Sequence, residues 1–213
     1  MIIVVLTLAL LIGVTLGLLG GGGSILTLPI LTYVAGVATK SAIASSLFVV
    51  AVTSAVGVVA HARAGRVRWR TGLLFGVAGM LGAFAGGRIA GHLPARGLML
   101  GFAAMMVVAS VAMLRGRRAS AATTVELAVG RVLLIGATVG LVVGTVGAGG
   151  GFIVVPALVL LGGLAMDRAV GTSLLVIAMQ SFAGFFGHLG HVAIDWPLTL
   201  AVTAMAVVGS FVG

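Results

Sequence analysis

The stretch GLLGGGGSILTLP, residues 17–29, interrupts an apolar segment with four consecutive glycines, Gly20 to Gly23. Each glycine inside a helix costs about 1 kcal/mol relative to alanine, so a run of four predicts a break in the helix. The stretch GTVGAGGGFIVVP, residues 144–156, has the same form. The sequence therefore predicts two helices that are interrupted at corresponding positions.

A repeat with an offset of 127 residues relates the two stretches and aligns Pro29 with Pro156. The register holds without a gap and also aligns residues that are rare in this chain, namely His61 with His188 and Trp69 with Trp196. Chance does not align several rare residues in one register. The sequence therefore predicts a tandem duplication of a four-helix unit whose first segments are broken by glycine.

The predicted repeats lie within a single membrane domain. Residues 1–118 hold spans one to four, and residues 128–213 hold spans five to seven. Gly213 corresponds to Gly86, which lies inside the third span of the first copy. The second copy is therefore expected to be truncated, with an incomplete last span and about seven spans in all.

The composition predicts an all-α integral membrane protein. The chain is 61% hydrophobic and 7% charged, whereas soluble domains carry about 25% charged residues. Its long uncharged runs fit spanning helices of about 20 residues and not the short alternating strands of a barrel. The net charge of +9 lacks the basic stripe with interleaved aromatics that indicates nucleic acid binding. The absence of cysteine excludes disulfides, thiolate metal sites and cysteine nucleophiles.

The first apolar segment is longer than one span. The predicted segments are 2–37, 41–62, 71–91, 97–114, 129–163, 168–189 and 197–213. A helix rises about 1.5 Å per residue, and the hydrocarbon core is about 30 Å thick. Residues 2–37 therefore form either one kinked element or two arms that meet at the glycines.

Arginine-rich connections predict the orientation. Residues 62–71 and 115–131 each hold four arginines, and the positive-inside rule places both connections on the cytoplasmic side of the inner or plasma membrane. If each broken segment crosses the membrane once, the two copies share an orientation about an axis along the membrane normal. A re-entrant hairpin at the break would change the number of crossings and therefore the relative orientation of the two copies.

The glycine runs predict an anion site. Irregular backbone at membrane depth must be buried in protein or line a cavity. A helix start after a break presents unpaired N–H groups with partial positive charge, and glycine lets an anion approach them closely. Spaced glycines such as Gly13, Gly82 and Gly209 fit close helix packing instead. Neither run carries the lysine of a nucleotide-binding P-loop.

The paired motifs resemble the sulfite exporter TauE/SafE family of bacterial permeases. GLLGGGGSILTLPIL is followed by ASSLF, GTVGAGGGFIVVPAL is followed by GTSLL, and HARAGRVRWR, residues 61–70, resembles the same family. The likeness covers nearly the whole chain. It implies duplicated four-helix halves and transport of small anions, commonly sulfur oxyanions or organosulfonates. The chain departs from that pattern by lacking an eighth span.

Few polar side chains are available to line a pathway. Hydroxyls recur at the repeat offset in the second span of each copy, where Ser54 also corresponds to Ser181. A serine in a membrane helix often bonds only the carbonyl four residues earlier in its own helix, so these hydroxyls need not bind a ligand. An unpaired amide in hydrocarbon is costly, and this makes Gln180 the best single polar candidate. The predicted substrate-binding residues are Gly20, Gly21, Gly22, Gly23, Ser24, Ser45, Ser46, Gly147, Gly149, Gly150, Gly151, Thr172, Ser173 and Gln180.

The sequence thus predicts a secondary transporter that binds a small anion, such as sulfite or an organosulfonate, between the two breaks with alternating access. No cofactor, catalytic residue or metal ligand is predicted. The predicted partners are the anion, the lipid bilayer and a coupling ion, either a proton or sodium. Two alternatives stay open. His188, His191 and Asp195 could form an intramembrane enzyme or metal site, or the chain could be a structural subunit whose glycines serve packing alone.

Overall fold

The described part of the chain is all-helical, as predicted. A computed structural model describes residues 2–19, 24–116, 129–147, 149–161 and 164–212. Its helices are α1 (Ile2–Leu19), α2 (Ser24–Pro29), α3 (Thr39–Arg63), α4 (Trp69–Ala90), α5 (Ala95–Gly116), α6 (Val129–Val146), α7 (Gly151–Pro156), α8 (Met166–His188) and α9 (Trp196–Val212). Within these ranges, α3, α4, α6 and α8 are long and apolar enough to cross a membrane. The predicted site glycines Gly20 to Gly23 lie outside the described residues.

Each interrupted segment contains a proline followed by a wider turn. Pro29 ends α2 and Pro156 ends α7, and residues Ile30–Val34 and Ala157–Leu161 then form π-helical turns. Proline lacks an N–H and its ring clashes with the carbonyl one turn earlier, which disturbs an α-helix at that point. A single wider turn lets each helix continue past its proline.

The helix bounds recur at the offset of 127 residues. α1 and α6 begin and end at corresponding positions, as do α2 and α7, and both α4 and α9 begin at a tryptophan. We call α1–α5 the first half of the chain and α6–α9 the second half. The structural elements therefore follow the same order and spacing in both halves.

The packing of spaced glycines recurs at the same offset. A Cβ atom added to Gly82 of α4 would collide with the Ala137 carbonyl of α6. A Cβ atom added to Gly209 of α9 would collide with the Leu10 carbonyl of α1. α4 thus packs on α6 as α9 packs on α1, so corresponding helices of the two halves make corresponding contacts. These glycines serve close packing between helix backbones, as expected.

α6 runs parallel to α4. Near the start of α6, the position of a Gly136 Cβ lies 2.7 Å from the Phe75 carbonyl. Near its end, the position of a Gly144 Cβ lies 2.6 Å from the Cα of Ala83. Both contacts advance together along the two helices, so α6 begins at the end of the bundle where α4 begins.

α8 also runs parallel to α4. The position of a Gly72 Cβ lies 3.1 Å from Cγ2 of Thr172, and that of a Gly87 Cβ lies 2.9 Å from Nδ1 of His188. α6 and α8 therefore begin at the same end of the bundle. The segment between them, which contains α7, must return to that end, so the second interrupted segment is a re-entrant hairpin.

The two halves have opposite orientations. The position of a Gly57 Cβ on α3 lies 3.3 Å from Leu174 of α8, and that of a Gly184 Cβ on α8 lies 3.4 Å from Leu47 of α3. These contacts run in opposite directions, so the corresponding helices α3 and α8 are antiparallel. Of the two alternatives for the broken segments, the second segment follows the re-entrant one, and the orientation of the second half is therefore reversed.

The bundle has two distinct ends. We call the end that holds residues 64–68 and the starts of α4, α6 and α8 the arginine end, and the end that holds residues 91–94 and 189–195 the histidine end. Side chains on the outside between the ends are apolar, such as Leu81 and Leu100, which are 73% and 71% exposed. An apolar exterior around a buried core suits a lipid environment.

Candidate functional site

The second break is built from glycines in left-handed backbone conformations. Gly147, Gly149 and Gly150 have φ angles of +75°, +63° and +68°, which other residues rarely adopt. The position of a Gly150 Cβ lies 3.3 Å from the Cβ of Val143, although seven residues of continuous helix would rise about 10 Å. The chain therefore folds back at this point, and α7 begins at Gly151.

The second break meets the start of α2 at mid-depth. The position of a Gly149 Cβ lies 2.6 Å from Cγ1 of Val50 and 2.9 Å from Cβ of Ser24. Val50 stands near the middle of α3, and Ser24 is the first residue of α2 and is fully buried. The two interrupted segments therefore touch each other about halfway through the bundle.

Ser46 fixes the backbone of the second break to α3. Its hydroxyl lies 2.7 Å from the Gly147 carbonyl and 2.8 Å from the Ile43 carbonyl of its own helix. A Cβ atom on Gly147 would collide with the Ile43 side chain, so the glycine permits this close approach. Ser46 thus contacts the second break through a backbone oxygen.

The other predicted hydroxyls are spread along the bundle. Thr199 donates a hydrogen bond of 2.9 Å to the Ser45 hydroxyl near the histidine end. The Arg68 backbone N–H donates a 3.0 Å bond to the Thr172 hydroxyl at the arginine end. Ser173 follows Thr172 and donates to the Val170 carbonyl at 2.7 Å. Because α3 and α8 are antiparallel, the structure does not bring the pair Ser45 and Ser46 together with the pair Thr172 and Ser173.

Gln180 is buried without a hydrogen-bond partner. Its side chain is 0% exposed, and neither Nε2 nor Oε1 has a partner in the described ranges. It packs directly on Gly79 of α4, where a Cβ atom would collide with the amide. Leaving a buried polar group unpaired costs about 1–3 kcal/mol. Gln180 is thus a polar side chain whose bonding capacity the described protein does not use.

Further unpaired polar atoms belong to residues outside the predicted ligand set. Besides the amide of Gln180, the buried side-chain atoms without a partner in the described part of the chain are Oγ1 of Thr27 and Thr32, Oγ of Ser54 and Ser181, and Nε2 of His188. Ser54 and Ser181 correspond to each other at the repeat offset, which is the sequence signal that singles them out.

The histidine end has its own polar contacts. Nδ1–H of His188 donates to the Gly184 carbonyl at 2.9 Å, and the rings of His92 and His191 lie 5.7 Å apart. The Leu198 N–H donates to the Asp195 carboxylate at 3.1 Å, which caps the start of α9. Among the residues that the structure describes, no three His, Asp or Glu side chains come together as metal ligands would.

An apolar helical bundle in which interrupted segments meet at mid-depth defines an integral membrane protein of the transporter class. The chain belongs to the sulfite exporter TauE/SafE family, whose match covers residues 5–213. This confirms the resemblance that the paired glycine motifs indicated.

The chain is similar to several proteins described as probable membrane transporters. One from Xylella fastidiosa is 34% identical over 208 residues, which cover 95% of this chain and 80% of the relative. The Bacillus subtilis protein YdhB is 27% identical and covers 95% of this chain and 85% of its own length. The Methanocaldococcus jannaschii protein MJ0441 is 25% identical, with 94% and 82% covered. No solved structure matches the chain.

Proposed function

We propose that this protein is a secondary transporter for a small anion, a sulfur oxyanion such as sulfite or an organosulfonate. The family to which the chain belongs and its relatives support transport as the activity. The family description and the chemistry of the break support the proposed substrate class. The bundle interior offers neutral donors, namely backbone N–H groups, hydroxyls and an amide, which can bind an oxyanion without a buried counter-charge.

One observation carries the proposal: the second break touches the start of α2 at the middle of α3. Gly149 lies against both Ser24 and Val50. In transporters with paired discontinuous helices, the substrate binds near the bilayer midplane where such segments meet, and the helix starts point at anionic groups. The contact of Gly149 with the start of α2 therefore supports an anion site where the two interrupted segments meet.

The recurring helix bounds and the opposite orientations support an inverted duplication and alternating access. In transporters with inverted repeats, one repeat moves against the other around the binding site. The site then opens first to one side of the membrane and then to the other. We place the arginine end in the cytoplasm, because Arg63, Arg66, Arg70, Arg131 and Arg168 lie at or near it. The membrane is then the inner or plasma membrane of the cell.

The driving force is an ion gradient, the membrane potential or the gradient of the substrate itself. The sequence contains no P-loop that would bind ATP. Protons or sodium are the candidate coupling ions. The enzyme, metal-site and structural-subunit alternatives are not favoured, because the relatives are described as membrane transporters and not as enzymes or scaffolds.

Flux of sulfite into proteoliposomes tests the proposal. Purified full-length protein should accelerate the entry of radiolabelled sulfite relative to protein-free liposomes, and unlabelled sulfite should compete. A pH gradient and a sodium gradient are then imposed in separate experiments. The gradient that drives accumulation of sulfite in the liposomes identifies the coupling ion. If none of the three anions sulfite, sulfate and methanesulfonate enters proteoliposomes faster than protein-free liposomes under any gradient, the proposed substrate class is wrong.

A further inference from the structure

Two buried hydroxyls without partners lie on the facing helices α3 and α8. Ser54 and Ser181 are each 0% exposed, and neither Oγ has a hydrogen-bond partner among the described residues. A hydroxyl in a membrane helix usually donates to a carbonyl one turn earlier, as Thr53 does to Val49 at 2.7 Å. Ser54 and Ser181 forgo this bond, so their donors are available to another acceptor.

Both hydroxyls lie on the helix faces that form the α3–α8 interface. We call this interface the central seam. Leu47 of α3 and Leu174 of α8 each contact a glycine of the opposite helix. Ser54 follows Leu47 by seven residues, and Ser181 follows Leu174 by seven residues, which is about two helical turns and returns to the same face. Ser54 and Ser181 therefore face the central seam from opposite halves of the chain.

The central seam passes the point where the interrupted segments meet. Val50 packs against Gly149 of the second break and lies one turn before Ser54 on α3. The antiparallel register of the seam, in which Leu47 meets Gly184, sets Ser181 beside Val50. The unpaired hydroxyls are thus within about one helical turn of the second break and of each other.

We infer that Ser54 and Ser181 are the side-chain donors to the transported oxyanion, an inference that rests on the proposed function. Their positions correspond at the repeat offset, so each half contributes one equivalent donor to a ligand held at the centre. A hydrogen bond to a charged oxygen is stronger than one to a neutral group and offsets the cost of burying both partners. This adds to the side-chain part of the site two residues that the predicted ligand set did not include.

Sulfite binding to purified full-length variants tests the inference. Ser54→Ala and Ser181→Ala should each weaken the affinity for sulfite by roughly tenfold or more, and the double variant further. Without anion, the melting temperature of both variants should equal or exceed that of the unchanged protein, because each substitution removes an unpaired buried hydroxyl. Thr53→Val is the matched control, since Thr53 is equally buried but bonded within its own helix, and it should retain sulfite affinity.

The outcomes separate the two proposals. If the unchanged protein binds sulfite and both serine variants bind it equally well, the assignment of Ser54 and Ser181 is wrong and the proposed function stands. A serine variant that melts well below the unchanged protein without anion, and loses affinity only in proportion, shows that the hydroxyl has a structural partner and also overturns the assignment. If the unchanged protein binds neither sulfite nor methanesulfonate, both proposals fail.

Discussion

Replacing Gly149 with alanine should destabilise the protein by two separable effects. The left-handed backbone conformation, with φ of +63°, costs a non-glycine residue about 1–2 kcal/mol. The added methyl group would also stand 2.6 Å from Val50 and 2.9 Å from Ser24, both fully buried, and such overpacking costs about 1–3 kcal/mol. The combined loss in unfolding free energy is therefore about 2–5 kcal/mol.

Gly36→Ala supplies the matched control for this prediction. Gly36 has φ of +69°, but no atom lies within 4 Å of the position of its Cβ, so its substitution incurs the backbone cost alone. Gly190→Ala has open space and no positive φ, and should leave stability nearly unchanged. Thermal melting of the detergent-solubilised variants measures the series, with roughly 2–4 °C of melting temperature expected per kcal/mol for a chain of this size.

The result that refutes this reasoning is an equal shift for Gly149→Ala and Gly36→Ala. That outcome would mean that Val50 and Ser24 do not pack against the second break, and the meeting of the interrupted segments would be wrong. We expect Gly149→Ala to lie lowest in the series and to lose sulfite flux beyond what its remaining folded fraction explains, because the added methyl group occupies the junction where the anion is proposed to bind.

Three further changes test separate parts of the structure. Gln180→Met should raise the melting temperature, because it replaces an unpaired buried amide by an apolar side chain of similar length, and a lower value would show that the amide has a partner. Gly82→Val should abolish folding as judged by gel filtration, because the Cβ would collide with a carbonyl of α6, whereas Gly130→Val meets no neighbouring atom and should fold. Since the chain has no cysteine, Gly65→Cys and Gly190→Cys each introduce a single site for labelling. A membrane-impermeant thiol reagent should reach the two cysteines from opposite sides of the membrane. Labelling of both cysteines from the same side would contradict the inverted arrangement.

The sequence predicts the second break well because its causes are local. Consecutive glycines at residues 149–151 permit left-handed backbone angles, and a proline disturbs the helix wherever it stands. The proline turns and the positions of the long helices depend on local sequence in the same way. Such features can be deduced from a few neighbouring residues without knowledge of the tertiary structure.

The direction of the second half depends on long-range packing, and the sequence analysis leaves two alternatives for it. Whether a broken segment crosses or folds back is decided by contacts such as that of Gly150 with Val143 and of α6 with α4. The sequence nevertheless contains a signal of the answer. Residues 62–68 hold three arginines, whereas the corresponding residues 189–195 hold no Arg or Lys, as the positive-inside rule expects for loops on opposite sides.

The buried hydroxyls can be identified in the sequence, but their hydrogen-bond partners cannot. Ser46 bonds the Gly147 carbonyl, 101 residues away in the chain, and no local pattern indicates that partner. The repeat offset pairs Ser54 with Ser181 as readily as it pairs Ser46 with Ser173. Only the three-dimensional packing distinguishes a hydroxyl that is already bonded within the protein from one that remains available to a ligand.

Locating a bound anion tests the central claim most directly. Selenite has the shape and charge of sulfite, and its selenium scatters X-rays anomalously, so crystals of the full-length protein with selenite would show the anion position without ambiguity. We predict one anomalous peak at the junction of Gly149 and Ser24, within hydrogen-bond distance of Ser54 or Ser181. A peak found only at the histidine end, beside His92 and His191, with none at the junction, would contradict the account.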